Sequence, residues 1–341
     1  MTSRITLKDV AKEAGVHVST ASRALNPLTS SVVNPETLER VAAAARMLGY
    51  RPHPLARGLR TNQSMSVGMV IPDVENPLFG PIIAGAESVL VDDGYSVLIG
   101  NADGDPESAD GVVASMLERH VDGLILATAT RSDSAIDTVR ERGVPIVLVN
   151  RSIDDGSVPA IVGDDHAGIG LAVEHLASLG HRRVGHVAGP SRVSTGLGRK
   201  RAFLSWTQEL GLESDHDLVE EADWFQVEPG HRAARELLSR HPEITAIVAA
   251  NDLLGLGCYR AIRSLDMEVA VDVSVTGYND TPLMDLMQPA LTAVRVPYRQ
   301  MGTQAANTML ASLASDAETP ASIKLTPSLS VRASTAPPPS S

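Results

Sequence analysis

From residue 66 to about residue 314 the chain alternates short apolar runs with stretches of helical periodicity, and this alternation limits its fold more than any other feature. Runs at 66–71, 95–99, 123–126, 145–149, 160–162, 183–187, 246–249, 273–276 and 291–296 read as strands. Between and after them, 81–92, 107–119, 132–142, 167–179, 198–210, 230–240, 253–265 and 299–314 read as helices. Strands that take turns with helices build parallel sheets covered on both faces. A body of this length is long for one such sheet, so two similar lobes are expected. Ligands in such folds sit beyond the carboxyl ends of the strands. The loops there carry amides, carboxylates and Arg with a few aromatics, which suits a small polyhydroxylated or heteroaromatic ligand. Asn and Asp at such places also serve as caps and turn formers.

The first sixty residues have another character. Thr6-x-x-Asp9 resembles a capping box that opens a helix with Leu7, Val10, Ala11 and Ala14 on one face. Gly15 stands where that helix ends, and a second short helix fits 18–25 with Ala21 and Leu25 inward. Asn34-Pro35-Glu36 starts a third helix, striped by Leu38, Val41, Ala42, Ala45 and Leu48 and closed by Gly49. Two short helices joined by a tight Gly-containing turn describe a helix-turn-helix, whose second helix reads DNA base edges from the major groove. A generic three-helix bundle with a solvated face shares the pattern. Charge favours the DNA reading. Residues 1–60 hold nine Lys/Arg against four acids, a net of +5, and the remainder carries −17 of the total −12.

The segments TLKDVAKEAGVHVSTASRALN and VNPETLERVAAAARMLGYRPHPLARGLRT resemble the head of the LacI/GalR family of transcriptional repressors. The resemblance implies a DNA-binding set of Thr6, His17, Val18, Ser19, Thr20, Ser22, Arg23 and Asn26, joined in the hinge by Arg57 and Leu59. Val18 and Ser19 would be the variable base readers and Arg23 a further base contact. The hinge Leu55-Ala56-Arg57-Gly58-Leu59 is too short for a stable helix in isolation. The resemblance implies that it folds only on operator DNA, with Leu59 as an apolar wedge in the minor groove. Two departures stand out. The family usually has Ser at His17, a capping position, and larger apolar residues at Ala21 and Ala24.

VGMVIPDVENPLFG, AIVAANDLLGLGCYRAI and DVSVTGYNDTPL are similar to parts of the periplasmic-binding-protein-like core of that family. The implied fold is α/β, a helix-turn-helix head plus a two-lobed core of doubly wound parallel sheets. The implied effector contacts are Phe79, Asn150, Arg199, Phe225, Asn251 and Asn279. Arg199, in TGLGRKRAF, takes the position of the family's effector-clamping arginine, and Phe225 or its neighbour Trp224 that of the aromatic stacking on the ligand. Many members have Asp where this chain has Asn150 and Asn279, which points to an effector with fewer donors or an acidic one.

The resulting organisation is a head at 1–50, a hinge at 51–62, a two-lobed effector-binding and dimerisation body at 63–332 and a disordered tail at 333–341, with lobe crossings near 163, 293 and 325. The expected partners are near-palindromic double-stranded operator DNA, a small sugar-like effector and a second copy of the chain. No cofactor, metal or catalytic set is expected. His175, His181 and His186 fit no compact zinc spacing, and no nucleophile elbow or P-loop is present. The one cysteine, Cys258, rules out a disulfide framework. The N-terminus lacks the apolar segment of a secretory signal, so a cytoplasmic location is expected. The alternative is a transport-type small-molecule binding protein without a DNA function. The body alone would suit it, but the head and the missing signal speak against it.

Overall fold

A computed structural model of the chain describes residues 5–25, 29–50, 63–103, 106–213, 216–314 and 321–339. Contacts divide it into two units, Met1–Met65 and Ser66–Ser341. The first contains helices Leu7–Glu13, Val18–Ala24 and Pro35–Leu48. Their core is Val10, Ala11, Ala14, Ala21, Ala24, Val41, Ala44 and Ala45, ringed by partly buried Leu7, Val18, Leu25 and Leu48. Alanine at 21 and 24 is small, and both side chains are fully used in this core. Gly15 adopts φ 63°, and Val16 N–H returns to Ala11 O, which ends the first helix where a side chain would be strained.

The second unit holds two six-stranded sheets. Strands β1 (Ser66–Ile71), β2 (Ser96–Asn101), β3 (Gly123–Leu126), β4 (Ile146–Val149), β5 (Ala160–Gly163) and β11 (Ile323–Leu325) form one in the order β11-β5-β4-β3-β1-β2. Strands β6 (Val184–Ala188), β7 (Val219–Glu221), β8 (Ala246–Ala249), β9 (Ser274–Asn279), β10 (Thr292–Arg295) and β12 (Ser328–Ser330) form the other in the order β12-β10-β9-β8-β6-β7. All pairings are parallel except β10 with β12. β1 shows why the strands lack polar alternation. Val67, Met69 and Ile71 enter one core, Val70 enters the core on the opposite face, and the whole strand is buried. The three-residue strands β7, β11 and β12 lie at sheet edges, too short and too polar to stand out in the sequence.

The chain passes between the sheets after Gly163, after Arg295 and after Leu325. Helix Tyr298–Leu313 returns to the first lobe and crosses Phe79–Leu90 at Gly302 and Gly85. A Cβ at either glycine would run into the other helix's backbone. The disordered tail expected from 333 is corrected. Ser334 is fully buried, accepting from Thr292 N and donating to Val275 O, and Ala336 O meets the His181 ring at 2.9 Å. Its Pro/Ser composition is accommodated because the second sheet leaves backbone and hydroxyl groups that residues 331–339 satisfy.

Candidate functional site

In the head, Thr6 caps the first helix. Its N–H and hydroxyl both donate to the Asp9 carboxylate, which these bonds hold below the usual carboxylate range. His17 caps the second helix. Its Nδ1 accepts from Ser19 N–H at 3.3 Å and lies 2.8 Å from the Ser19 hydroxyl. An imidazole therefore does here what a serine oxygen does at other helix starts. Thr6, His17, Ser19 and Arg23 are exposed. Val18, Thr20 and Ser22 are half-buried, and Val18 rests against the head's core, so it presents less surface than the sequence suggests. Asn26, Arg57 and Leu59 lie outside the described residues.

In the body, a cleft of about 870 Å³ opens where the strand ends of the two lobes face each other. It brings together all six predicted effector contacts, Phe79, Asn150, Arg199, Phe225, Asn251 and Asn279. Asn150 directly follows β4 and Asn279 ends β9, at φ 65° and 111°, a backbone region Asn enters more readily than most residues. Asn251 caps helix Asp252–Ser264, its Oδ1 accepting from Leu254 N–H at 2.8 Å. The Asn279 Oδ1 accepts from the Tyr298 hydroxyl at 2.6 Å. Asn76, also on the wall, accepts from Leu78 N–H at its Oδ1. Each of these three amides thus has its carbonyl oxygen engaged and its NH₂ left over.

Arg199 is buried and already committed. Its Nε donates to Asp165 at 2.8 Å, its Nη1 donates to Ala250 O at 2.7 Å, and its guanidinium lies 3.7 Å from the Tyr278 ring centre. Burial works against its charge, and the Asp165 carboxylate more than offsets it, raising its pKa. Phe79 is buried at the floor, and Phe225 lies over Gly189, where a Cβ would occupy the ring's place. Sequence reasoning placed Arg151 among the strand-end loop residues but not among the effector contacts, and did not single out Arg192. Both line the cleft, and Arg192 lies 4.0 Å from the centre of the exposed Trp224 ring. Arg151 directly follows Asn150, which was a usable signal. Arg192 lies in the loop between β6 and helix Ser194–Glu209, which carries Arg199, and so stands at a strand end as well.

Two hydrogen bonds join the lobes at the cleft's rim, Arg131 N–H to Arg192 O and Ser152 N–H to the Ser194 hydroxyl. Below it, Asp252 is buried with Oδ2 accepting from both Thr281 N–H and hydroxyl, while Oδ1 has no partner. Burial pushes its carboxyl up to about 7. Among the described residues no group of three His, Cys, Asp or Glu could hold a metal. No helix among them is long and apolar enough to cross a membrane.

A helix-turn-helix in one unit and a polar cleft between two sheets in the other define a class: DNA-binding regulators that answer to a small molecule. Comparison with known proteins gives the family. Residues 6–53 match "Bacterial regulatory proteins, lacI family" and residues 64–333 match "Periplasmic binding proteins and sugar binding domain of LacI family". The chain is 34% identical to the HTH-type transcriptional regulator MalR of Streptomyces coelicolor, over 98% of this chain and 97% of that one. It is 30% identical to the HTH-type transcriptional repressor PurR of Klebsiella pneumoniae, over 97% of each. Among solved structures, the lac repressor dimer bound to operator and the anti-inducer ONPF superposes with a TM-score of 0.85 at 28% identity, covering 98% of this chain and 100% of that one. The CelR–cellobiose complex superposes with a TM-score of 0.75 at 30% identity, covering 97% and 100%. The chain belongs to the LacI family and is a DNA-binding transcriptional regulator with a sugar-binding-type effector domain.

Proposed function

We propose that this chain acts in the cytoplasm as a homodimeric repressor of a near-palindromic operator, with a sugar-like effector in the interlobe cleft setting its DNA affinity. A two-fold dimer matches two half-sites, and a single small head makes too few base contacts for a useful specificity ratio. Ser19 and Arg23 read bases, with Val18 supporting from the edge of the core, and Thr6, His17, Thr20, Ser22 and Asn26 flank them. Arg57 and Leu59 act from the hinge. In the cleft, Phe79 and Phe225 face the ligand's apolar side and Asn150, Arg199, Asn251 and Asn279 its polar groups. The observation that carries this reading is the cleft itself, in which donors and aromatics from both lobes converge. The effector shifts DNA affinity only if it binds the two lobe arrangements unequally.

The test is selection of bound duplexes from a random DNA pool with the full chain at near-physiological salt, followed by retesting the winners against a panel of sugars, sugar acids and nucleobases. A palindrome is expected, together with one panel member that changes its affinity. Enrichment of nothing, with or without the panel, and binding that only falls steeply with salt would sink the reading. Arg23→Ala should cost about 1–3 kcal/mol on the selected site and relax one base pair. An equal loss on random DNA would contradict its role as a reader.

A further inference from the structure

Two arginines outside the predicted effector contacts, Arg151 and Arg192, carry an inference about the effector's chemistry, resting on the reading of the cleft as the effector site. Arg151 follows β4 in the first lobe, and its Nη1 donates to Thr128 O at 3.2 Å. Its Nε is sealed from solvent with no partner. Burial, then the charges of Arg192 and Arg199, pull its pKa down to about 10. Among the described residues no carboxylate is hydrogen-bonded to it. Asp133, an acid that favours its charge, accepts from the Thr130 and Ala135 N–H groups instead. Arg199 differs, because Asp165 pairs with it directly. Arg192 comes from the second lobe and donates only to a backbone oxygen, that of Asp223, beside its stacking on Trp224.

A half-buried guanidinium whose Nε is shut off from water and which has no counter-charge is costly, and it cannot shed its proton at neutral pH. Its compensation has to come from outside the chain. The rest of the wall agrees. Asp73 is the sole acid among the described residues lining the cleft, and its Oδ1 is taken by Glu75 N–H. Asn76, Asn251 and Asn279 offer NH₂ donors. A cleft this rich in donors and positive charge is complementary to acceptors and negative charge.

We propose that the effector is an anionic sugar derivative, its carboxylate or phosphate seated between Arg151 of one lobe and Arg192 of the other. The anion would cancel a like-charge repulsion that acts across the cleft, so binding and lobe closure are coupled through the same two residues.

The experiment uses the full chain at fixed ionic strength. Glucose and glucuronate form a pair that differs only in a hydroxymethyl against a carboxylate. Glucose 6-phosphate and inorganic phosphate form the second arm. Binding is read by calorimetry and thermal unfolding for the wild type, Arg151→Gln and Arg151→Lys. An anion should raise the melting temperature, and the acid or phosphate should bind at least roughly tenfold tighter than glucose. Arg151→Gln should abolish that preference and Arg151→Lys should keep much of it. Without ligand, Arg151→Gln should melt at or above the wild type, since it removes an uncompensated charge. Preference for the carboxylate alone identifies a sugar acid, and for the phosphates alone a sugar phosphate.

Glucose binding as tightly as both anions, a preference that survives Arg151→Gln, or no stabilisation by any anion overturns the inference. Failure of the broader reading would look different, since no sugar of either kind would then change operator binding. A neutral sugar that changes it as strongly as an anion would defeat only the charge argument.

Discussion

At the scale of single residues, a side chain's place in the sequence says little about whether its charge is free. Arg199 and Arg151 line the same cleft, yet one is paired and the other is not. Arg199→Ala should therefore destabilise the body by about 3–5 kcal/mol, because it leaves the Asp165 carboxylate and the Ala250 carbonyl without their donor. Chemical denaturation measures this. The double change Arg199→Ala with Asp165→Ala should recover part of the loss, and strict additivity of the two single changes would refute the coupling. Asp252 makes a pH prediction. Its carboxyl sits at about 7 when folded against 3.8 unfolded, so the folded state holds the proton more tightly. Stability from this group is complete below about pH 4 and is lost as pH rises towards 7, by up to about 1.4 kcal/mol per unit. His186 works in the opposite sense, since burial lowers it from 6.5 to about 4 and stability returns as pH rises between those values. Asp252→Asn should gain on the wild type steadily from pH 4 to 7 and keep a constant advantage above. A difference that does not change with pH would mean that Asp252 titrates normally.

At the scale of elements, the head's second helix depends on an unusual cap. His17 accepts Ser19 N–H through Nδ1, so the ring must be neutral at that nitrogen. His17→Ala should cost the head about 0.5–2 kcal/mol and His17→Ser should restore it. Hydrogen exchange at the Ser19 and Thr20 amides of the full chain would read the effect locally, and unchanged protection in the Ala variant would show that the cap contributes nothing. Strand boundaries in the body were legible where both faces are buried, as in 66–71 and 123–126, because an unbroken apolar run has no other use in such a fold. The edge strand Val219–Glu221 was not legible, since one polar side faces solvent and three residues carry no period.

At the scale of the whole molecule, the C-terminal segment shows what composition hides. Residues 331–339 are rich in Pro and Ala, yet Ser334 closes two buried hydrogen bonds and Thr335 meets the His175 ring at 2.8 Å. Removing residues 332–341 should cost about 1–3 kcal/mol for each buried group left unpartnered, among them Thr292 N–H and Val275 O. The truncated chain should melt several degrees lower, and an unchanged melting temperature would return the segment to the status of a tail.

The class of fold could be read from the sequence, because periodicity, capping signals and strand-end loops are local properties that neighbouring residues state together, and the resemblance of its motifs to the LacI/GalR family implied six side chains that line the cleft. The pairing of Arg199 with Asp165, the isolation of Arg151, the engagement of the Asn279 carbonyl by Tyr298 and the anchoring of Ser334 could not be read there. Each depends on which distant groups end up within hydrogen-bond reach and out of water. Burial and partnership belong to the folded arrangement, and they turn a list of polar residues into a cleft with a definite charge.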